Sequence, residues 1–304
     1  MAIKKIIVLY GGKSSERQVS LESGEYIFQS IKDLGYEASL IDYPDKFSLE
    51  TLAEEDFIFI ALHGEDGESG QLQKILQKRS ISYSGSNSEA CENTWNKNTC
   101  KKLLKENKIP TPKWLLVSSL PDIKNDLNDP CFGPLRPFNE LFLKPAEDGS
   151  SIDVFKISNN RDLKRAIVDC LNPSRQFIFE ECIDYKELTV PILNGKCLPA
   201  VEICTSESFY NFNAKYINED TELTELKLSK DEKIILEEIC LKTLDVMGCE
   251  GWARVDLLQD DKNNFYVLEV NTVPGMTSHS LFPKSAESVG LSYDDLVQEI
   301  INAK

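Results

Sequence analysis

Four polar side chains near the carboxyl-terminal end have the types and spacing of a metal-nucleotide site. Arg254 and Asp256 are two positions apart in one apolar run, and Glu269 and Asn271 are two apart in the next run. Side chains at i and i+2 share one face of a strand, and counting back from the intervening turn places Asp256 nearly opposite Glu269. Oxygen ligands of this kind suit Mg²⁺, which keeps waters and phosphate oxygens as its other ligands. A solvent-facing hairpin would show the same alternation.

The segment that follows the second run favours a site over a surface hairpin. Residues 268–280 lead from a strand into Pro274-Gly275 and then into a hydroxyl-rich stretch. Such a segment offers backbone N–H groups and hydroxyls to an anion. The two features together predict a site for a metal ion and a phosphorylated ligand.

The glycine turn after the first apolar run excludes two common nucleotide-binding motifs. A phosphate-binding P-loop at this turn would need glycine at position 7, where Ile7 stands, and no G-x-G-x-x-G follows the run. A plain turn explains Gly11 and Gly12 but not Glu16. We expect Glu16 to be exposed at the ligand end of the sheet, where an anion suits a substrate cation.

Apolar periodicity indicates the elements that position these groups. A strand at 5–10, a helix at 20–34 and strands at 37–41 and 57–62 predict a small doubly wound α/β unit over the first ninety or so residues, with ligands beyond the strand ends. Residues 118–140, rich in Pro, Asn and Asp, predict a loop. The later predicted strands are 141–144, 153–157, 177–181, 188–193, 251–258 and 265–270, and the later helices are 161–171 and 230–247.

Composition limits the class of protein. The 304 residues are 41% hydrophobic and 28% charged, which is typical of a soluble globular protein with two or three packed units. No apolar run approaches the roughly 20 residues of a membrane span, and the start is too short for a signal peptide, so we expect a cytoplasmic protein without a membrane partner. A net charge of −16 disfavours nucleic acid as a partner but permits a local cationic pocket for one nucleotide. Nine cysteines without Cys-x-x-Cys spacing argue against a disulfide framework or a thiolate zinc site.

Taken together, seven segments of the chain resemble the D-alanine:D-alanine ligases of the ATP-grasp superfamily. These segments are 11–20, 61–71, 144–151, 180–189, 214–216, 251–256 and 268–280. Their order and spacing extend the resemblance over nearly the whole chain. The resemblance implies an α/β fold that is α+β in its ATP-grasp part. It implies an amino-terminal Rossmann-like domain with a doubly wound parallel sheet (1–95), and then two ATP-grasp subdomains (96–182 and 183–304) that sandwich the nucleotide.

The resemblance also implies the nucleotide and metal ligands. ATP carries several negative charges and requires cations around its phosphates. The implied nucleotide residues are Lys97, Lys144 and Lys215 at the phosphates, Ser151 in the glycine-rich loop 147–151, Glu180, Glu181 and Ile183 in the adenine hinge, and Glu187 at the ribose. The implied metal ligands are Asp256, Glu269 and Asn271, for two Mg²⁺ ions that Mn²⁺ can replace. Residues 147–151 are also consistent with a simple hairpin turn.

The implied reaction joins two D-alanine molecules. The first D-alanine takes the γ-phosphate of ATP to form D-alanyl phosphate, and the amine of the second attacks it, giving D-alanyl-D-alanine for peptidoglycan synthesis. The implied substrate residues are Glu16 at the first ammonium, His63 near the first carboxylate, Arg254 and the Gly275 N–H at the oxyanion, and Ser280 and Leu281 at the second carboxylate. Glu16, Ser150 and Tyr216 would tie a lid at 209–216 to the substrate side. A purely structural role is the other interpretation of His63. The family resemblance further implies a homodimer.

Five positions depart from the family pattern, namely Ser69, Lys74, Asn96, Asp153 and Asn211. None of them removes a proposed metal or oxyanion residue, and we expect them to alter lid dynamics or affinity. Asp153, close to the glycine-rich loop 147–151 and at a position where glycine is common, is the foremost of them. Two other functions compete with the dipeptide ligase. A ligase that joins D-alanine to D-lactate or another D-amino acid is disfavoured by Tyr216, and a non-catalytic nucleotide-binding protein is disfavoured by the complete set of metal ligands.

Overall fold

The computed structural model describes residues 3–124, 126–183, 185–205 and 222–303. Three β-sheets, each with its own apolar core, follow one another along these ranges. No helix within them combines the length and the apolar character needed to cross a bilayer. The combination of helices with one parallel and two antiparallel sheets confirms the predicted α/β fold class.

The first sheet is parallel and has the order β2-β1-β3-β4. Its strands are β1 Lys5–Gly11, β2 Ala38–Tyr43, β3 Asp56–Ile60 and β4 Ser82–Tyr83. The predicted strand, glycine turn and helix at the start are confirmed, although helix α1 (Arg17–Asp33) begins three residues earlier than its apolar pattern. Gly11 and Gly12 both have positive φ, which glycine adopts without strain.

Four helices that the apolar pattern did not predict follow β3: the first two precede β4, and the last two connect this sheet to the next one. They are α2 Glu65–Glu68, α3 Gln71–Lys78, α4 Ser88–Trp95 and α5 Lys97–Glu106. The side chains of Asn87 and Asn96 cap α4 and α5 by accepting backbone N–H groups. The cap at Asn96 fixes the start of α5 and therefore the position of Lys97, the first residue of that helix.

The second sheet is antiparallel with the order β5-β8-β6-β7. Its strands are β5 Trp114–Val117, β6 Leu141–Pro145, β7 Phe155–Ile157 and β8 Phe177–Glu181, and helix α6 is Asn160–Asp169. The predicted loop at 118–140 contains one short 3₁₀ helix, Pro130–Leu135. The prediction that β7 begins at Asp153 was wrong, because Asp153 has φ of +54° and belongs to the preceding loop.

The third sheet is also antiparallel and has the order β12-β11-β9-β13-β14, with β10 paired to β9. Its strands are β9 Lys186–Leu193, β10 Lys196–Cys197, β11 Val201–Cys204, β12 Glu222–Glu225, β13 Trp252–Gln259 and β14 Phe265–Asn271. Helix α7 (Lys230–Met247) has the predicted bounds, with a Ser229–Glu232 capping box at its start and left-handed Gly248 at its end.

The last two helices return to the first sheet. Helices α8 (Leu281–Ser288) and α9 (Tyr293–Asn302) bury their apolar side chains in the same core as β1, β3 and α1. Trp252 of β13 also lies in this core. The boundaries at 95/96 and 182/183 stay predictions, but the amino-terminal core includes the end of the chain.

Candidate active site

The β13–β14 hairpin has the predicted register. Asp256 is paired with Glu269 and Arg254 with Asn271, and a bulge follows Asp256. Arg254 donates to both carboxylate oxygens of Asp256, from Nε at 2.8 Å and from Nη2 at 2.9 Å. The hydroxyl of Thr189 on β9 donates to Asp256 Oδ1 at 2.6 Å. The buried Asp256 carboxylate is therefore held in one orientation, opposite Glu269.

The donor set of this hairpin fits a hard divalent cation. A carboxylate offers about four lone-pair positions, and hydrogen bonds from Arg254 and Thr189 occupy three of those on Asp256. The amide oxygen of Asn271 accepts the Val273 N–H at 2.9 Å, which fixes the amide plane. Within the described ranges no three His, Cys, Asp or Glu side chains form a metal cluster, so the candidate set is two carboxylates and one amide. Oxygen ligands in this number suit Mg²⁺, which completes its shell with water and phosphate.

A cavity of about 400 Å³ separates the second and third sheets. This volume lies within the range of pockets that hold nucleotide-sized ligands. Five of the predicted nucleotide residues line it, together with the metal residue Glu269, and these five are Lys97, Lys144, Ser151, Ile183 and Glu187. Glu269 is therefore the predicted metal residue that shares this space with the predicted nucleotide residues, whereas Asp256 and Asn271 do not line it.

Lys97 joins the metal hairpin to the loop after β6. Its ammonium group donates to the backbone oxygen of Asp148 at 2.7 Å and lies 3.7 Å from a carboxylate oxygen of Glu269. The preceding Asn96 donates from its amide to Glu147 at 2.7 Å. An aspartate at position 96 would cap α5 equally well but could not donate to Glu147. The departure at Asn96 thus has a structural explanation.

Lys144 and Lys101 share one buried carboxylate, that of Glu180. Glu180 and Lys101 are each 1% exposed, and both ammonium groups lie 2.5 Å from Glu180 oxygens. Burial alone would raise the pKa of Glu180, but the two ammonium groups lower it below its ordinary value. Burial lowers the pKa of Lys101. Lys144 lines the cavity, whereas among the described residues Glu180 and Lys101 lie behind its wall.

The predicted adenine hinge has a mixed arrangement. Ile183 lines the cavity. The Glu181 side chain instead accepts the Lys113 backbone N–H at 3.0 Å, and the Glu181 N–H donates to the Lys113 oxygen at 2.9 Å, which leaves its backbone carbonyl as the group that could face a base. Lys215, Tyr216 and the departure Asn211 lie outside the described residues.

The loop between β6 and β7 spans 146–154, and we call it the phosphate loop. Its Gly149 lines the nucleotide cavity and also contacts the predicted substrate residue Glu16. Because β6 and β7 are antiparallel neighbours, this loop is a long hairpin connection. Ser150 and Ser151 both have left-handed backbone, with φ of +54° and +56°. A Cβ on Gly149 would lie 2.7 Å from a carboxylate oxygen of Glu16. A side chain at 149 would therefore displace the Glu16 carboxylate from the loop. Glu16 is half-buried, so the expectation that it is exposed was wrong.

His63 is buried just beyond β3. Its Nε2 lies 3.4 Å from the Ser23 hydroxyl, and its backbone oxygen accepts the Ser14 hydroxyl at 2.7 Å. Burial lowers the pKa of His63 below its ordinary value and so favours the neutral ring. The negative charge of nearby Glu16 acts in the opposite direction but does not outweigh burial. The ring also forms a hydrogen bond with the backbone of Val273, which links it to the segment after β14.

The Pro-Gly segment is tied to His63 through Ser23. The Met276 N–H donates to the Ser23 hydroxyl at 3.1 Å. Ser280 precedes Leu281, the first residue of α8, and its hydroxyl accepts the Thr277 N–H at 3.0 Å instead of capping the helix. A Cβ on Gly275 would lie 2.9 Å from the Ser280 hydroxyl. The segment thus folds into a compact loop beside the buried histidine.

Glu68 is a site residue that the sequence did not predict. Its carboxylate accepts the Gly64 N–H at 2.8 Å. Burial of this carboxylate, and then the charge of Glu16, raise the pKa of Glu68 to about 8, although part of the side chain stays accessible. A neutral Glu68 adds no further negative charge next to Glu16 and Glu269.

Two antiparallel sheets that enclose a nucleotide-sized cavity, behind a parallel amino-terminal sheet, define an ATP-grasp protein. Residues 103–302 match the family model described as "D-ala D-ala ligase C-terminus". The chain therefore belongs to the D-alanine–D-alanine ligase family.

Individual relatives agree with this assignment over the full length. The chain is 39% identical to D-alanine–D-alanine ligase B of Clostridium perfringens, with 98% of this chain and 97% of the relative covered. It is 38% identical to the D-alanine–D-alanine ligase of Glaesserella parasuis, with the same coverage of 98% and 97%. Among solved structures, the Bacillus anthracis D-alanine–D-alanine ligase complexed with ATP superposes with a TM-score of 0.84 at 31% identity, covering 99% of this chain and 97% of that one.

Proposed function

We propose that this protein is an ATP-dependent ligase that joins two D-alanine molecules through D-alanyl phosphate and supplies D-alanyl-D-alanine for peptidoglycan. One observation carries the proposal. The cavity between the two sheets contains Glu269 and Lys97, and the loop over it touches Glu16, which adjoins buried His63. A nucleotide phosphate and a small amino acid would therefore meet at this point.

The nucleotide roles follow from the lining of the cavity. Lys97 and Lys144 place positive charge where phosphates would lie. The family resemblance adds Lys215, which lies outside the described residues. Glu187 would bind the ribose, Ser151 the phosphates, and Ile183 and Glu181 the adenine through their main chain. Glu180 acts on the nucleotide through Lys144, which it orients.

Asp256, Glu269 and Asn271 would hold two Mg²⁺ ions, which Mn²⁺ can replace. Bound magnesium neutralises charge on the phosphates during transfer. The adjacent Arg254 has five N–H donors, two of which Asp256 accepts. Arg254 and the Gly275 N–H would stabilise the oxyanion that forms when the second amine attacks.

The substrate roles follow from charge. The Glu16 carboxylate would bind the ammonium of the first D-alanine, and His63 would lie near its carboxylate. The Ser280 hydroxyl and the Leu281 N–H would bind the carboxylate of the second D-alanine, next to the first turn of α8. Ser150 and Tyr216 would link Glu16 to a lid that excludes water from the acyl phosphate.

We also propose a cytoplasmic homodimer. The nine cysteines are all free thiols, which is typical of a reducing compartment where ATP is available. The dimer rests on the family resemblance, and light scattering of the purified protein would test it: a mass near 34.4 kDa would contradict it.

A phosphate-release assay with mass spectrometry of the products tests the activity. D-alanine alone should give ADP, phosphate and one dipeptide, L-alanine should give none, and added D-lactate should give little depsipeptide. Depsipeptide as the main product would favour the D-lactate ligase. No D-alanine-dependent ATP hydrolysis would contradict the proposal and favour a nucleotide-binding protein without activity.

Glu269→Gln tests the metal ligand. It removes the charge but keeps the shape, so turnover should fall by at least about 100-fold while the fold is retained. The matched control is Glu287→Gln on the exposed face of α8, which should keep full turnover. Retained activity in Glu269→Gln would remove it from the ligand set.

A further inference from the structure

The phosphate loop has a strained backbone that its own residues do not explain. Three non-glycine residues within four positions are left-handed, namely Ser150, Ser151 and Asp153, with φ between +54° and +56°. Residues with a Cβ adopt this region at a cost and persist in it only when surrounding contacts hold them. Contacts outside the loop must therefore stabilise this conformation.

Arg175, in the segment before β8, makes such contacts at two points of the loop. Its Nη1 donates to Asp148 at 2.6 Å and its Nη2 donates to Asp153 at 2.6 Å. The guanidinium also lies over the Phe177 ring, 5.6 Å from the centroid. These are charge-assisted hydrogen bonds from one planar group, which restrain both partners together.

Asp153 is the more deeply held of the two carboxylates. Its side chain is 3% exposed and also accepts the backbone N–H groups of Leu171, at 2.9 Å, and Asn172, at 3.4 Å. Glycine would suit the left-handed backbone at 153 better than aspartate does. The chain nevertheless has a buried carboxylate here, which indicates that the contact with Arg175 is the useful property of the residue.

The restrained loop carries three groups of the candidate site. The Asp148 backbone oxygen accepts Lys97 Nζ, Gly149 touches Glu16, and Ser151 lines the nucleotide cavity. Displacement of the loop would move the phosphate contacts and open the region beside Glu16 to water.

We propose that Arg175, together with Asp148 and Asp153, is a clamp that holds the phosphate loop closed over the transferred phosphoryl group. The three are positioning residues, and the proposal rests on the ligase function proposed above. When the clamp is lost, water attacks D-alanyl phosphate in place of the second amine. The water oxygen bonds to the carbonyl carbon, the bond from that carbon to the phosphate oxygen breaks, and D-alanine and inorganic phosphate leave with the protons of water. The net reaction is hydrolysis of ATP to ADP and phosphate without dipeptide.

The test uses Arg175→Met, with Arg175→Lys as the conservative variant and Arg165→Met as the matched control. Arg165 is an exposed arginine on α6 that pairs with Asp169 at the surface. The principal measurement is ADP released per dipeptide formed, because this ratio does not depend on the fraction of folded protein. Wild type and Arg165→Met should give close to one ADP per dipeptide, and Arg175→Met about three or more. Its KM for ATP should also rise more than its kcat falls, and Arg175→Lys should recover part of the coupling.

A second measurement does not require activity. Hydrogen exchange of a peptide covering 146–154 should be about tenfold faster in Arg175→Met than in wild type, and Asp153→Asn should show the same direction. Unchanged exchange together with an unchanged ADP-to-dipeptide ratio would overturn the clamp. An inactive wild type would contradict the ligase function alone, since the exchange measurement would still decide whether Arg175 holds the loop.

Discussion

The buried ammonium group of Lys101 provides the most quantitative prediction. Its Nζ lies 2.5 Å from Glu180 Oε2 and 2.8 Å from the Thr111 hydroxyl. The other Glu180 oxygen is paired with Lys144, which lines the nucleotide cavity. Lys101→Met keeps an unbranched side chain and removes the charge. Glu180 then depends on Lys144 alone, and we expect Lys144 to move away from the nucleotide.

The magnitude follows from the burial of the pair. Removing one partner from a buried ion pair typically costs about 3–5 kcal/mol, because the remaining charge loses its compensation. Here Lys144 still compensates Glu180, and the buried ammonium no longer needs desolvation, so the lower end applies. We expect Lys101→Met to lower the free energy of unfolding by about 3 kcal/mol. The KM for ATP should rise about tenfold, which corresponds to about 1.4 kcal/mol.

Urea unfolding followed by fluorescence measures the first quantity, and steady-state kinetics at saturating D-alanine measures the second. Lys102→Met is the matched control, since Lys102 is exposed on the same helix and should change stability by less than about 0.5 kcal/mol. A loss of less than about 1 kcal/mol in the free energy of unfolding, with an unchanged KM for ATP, would refute the argument that Lys101 holds Glu180 and Lys144 in place.

Three further predictions test other parts of the site. The pKa of Glu68 is about 8 in the folded protein and lower in the unfolded protein, so between the two values the folded state binds more protons, and wild-type stability should fall as pH rises from 5.5 to 7.5. In urea titrations at several pH values, Glu68→Gln should remove up to about 1 kcal/mol of that fall per pH unit. Parallel stability profiles of the two proteins would contradict the raised pKa. Asn96→Asp should raise the KM for ATP two- to fivefold, roughly, through repulsion with Glu147, while the melting temperature stays the same; an unchanged KM would show that the contact does not matter. Ser23→Ala leaves the buried Met276 N–H without its partner, so stability should fall by about 1–3 kcal/mol and the KM for D-alanine should rise while that for ATP does not; equal effects on both KM values would indicate a general structural role.

The parts of the fold that could be predicted are those with local signals. The register of Asp256 against Glu269 followed from the two-residue period of strands and a short turn, and the structure has the same pairing. Helix α7 had its predicted bounds because Ser229 and Gly248 mark its two ends. The short helices α2 to α5 had no comparably long periodic pattern, and they were not predicted.

The residues that could not be predicted depend on contacts between distant parts of the chain. Arg175 has no unusual neighbours in sequence, and its role is visible only where β8 begins beside the phosphate loop. Lys101 did have a usable signal. It lies four positions after Lys97 on α5, and residues at this spacing share one face of a helix, so assigning Lys97 to the site also directs Lys101 toward it.

The return of the chain to its first core explains how two substrates are brought together. The nucleotide groups lie on the second and third sheets, whereas Glu16 and His63 extend from the first. After β14, the Pro-Gly segment is bound by Ser23 of α1, and α8 and α9 are buried in the first core. The proposed second-substrate residues are thereby attached to the amino-terminal unit, next to the metal hairpin that precedes them in sequence. Because the phosphate loop touches Glu16 through Gly149, closure of that loop would couple nucleotide binding to the proposed position of the first D-alanine.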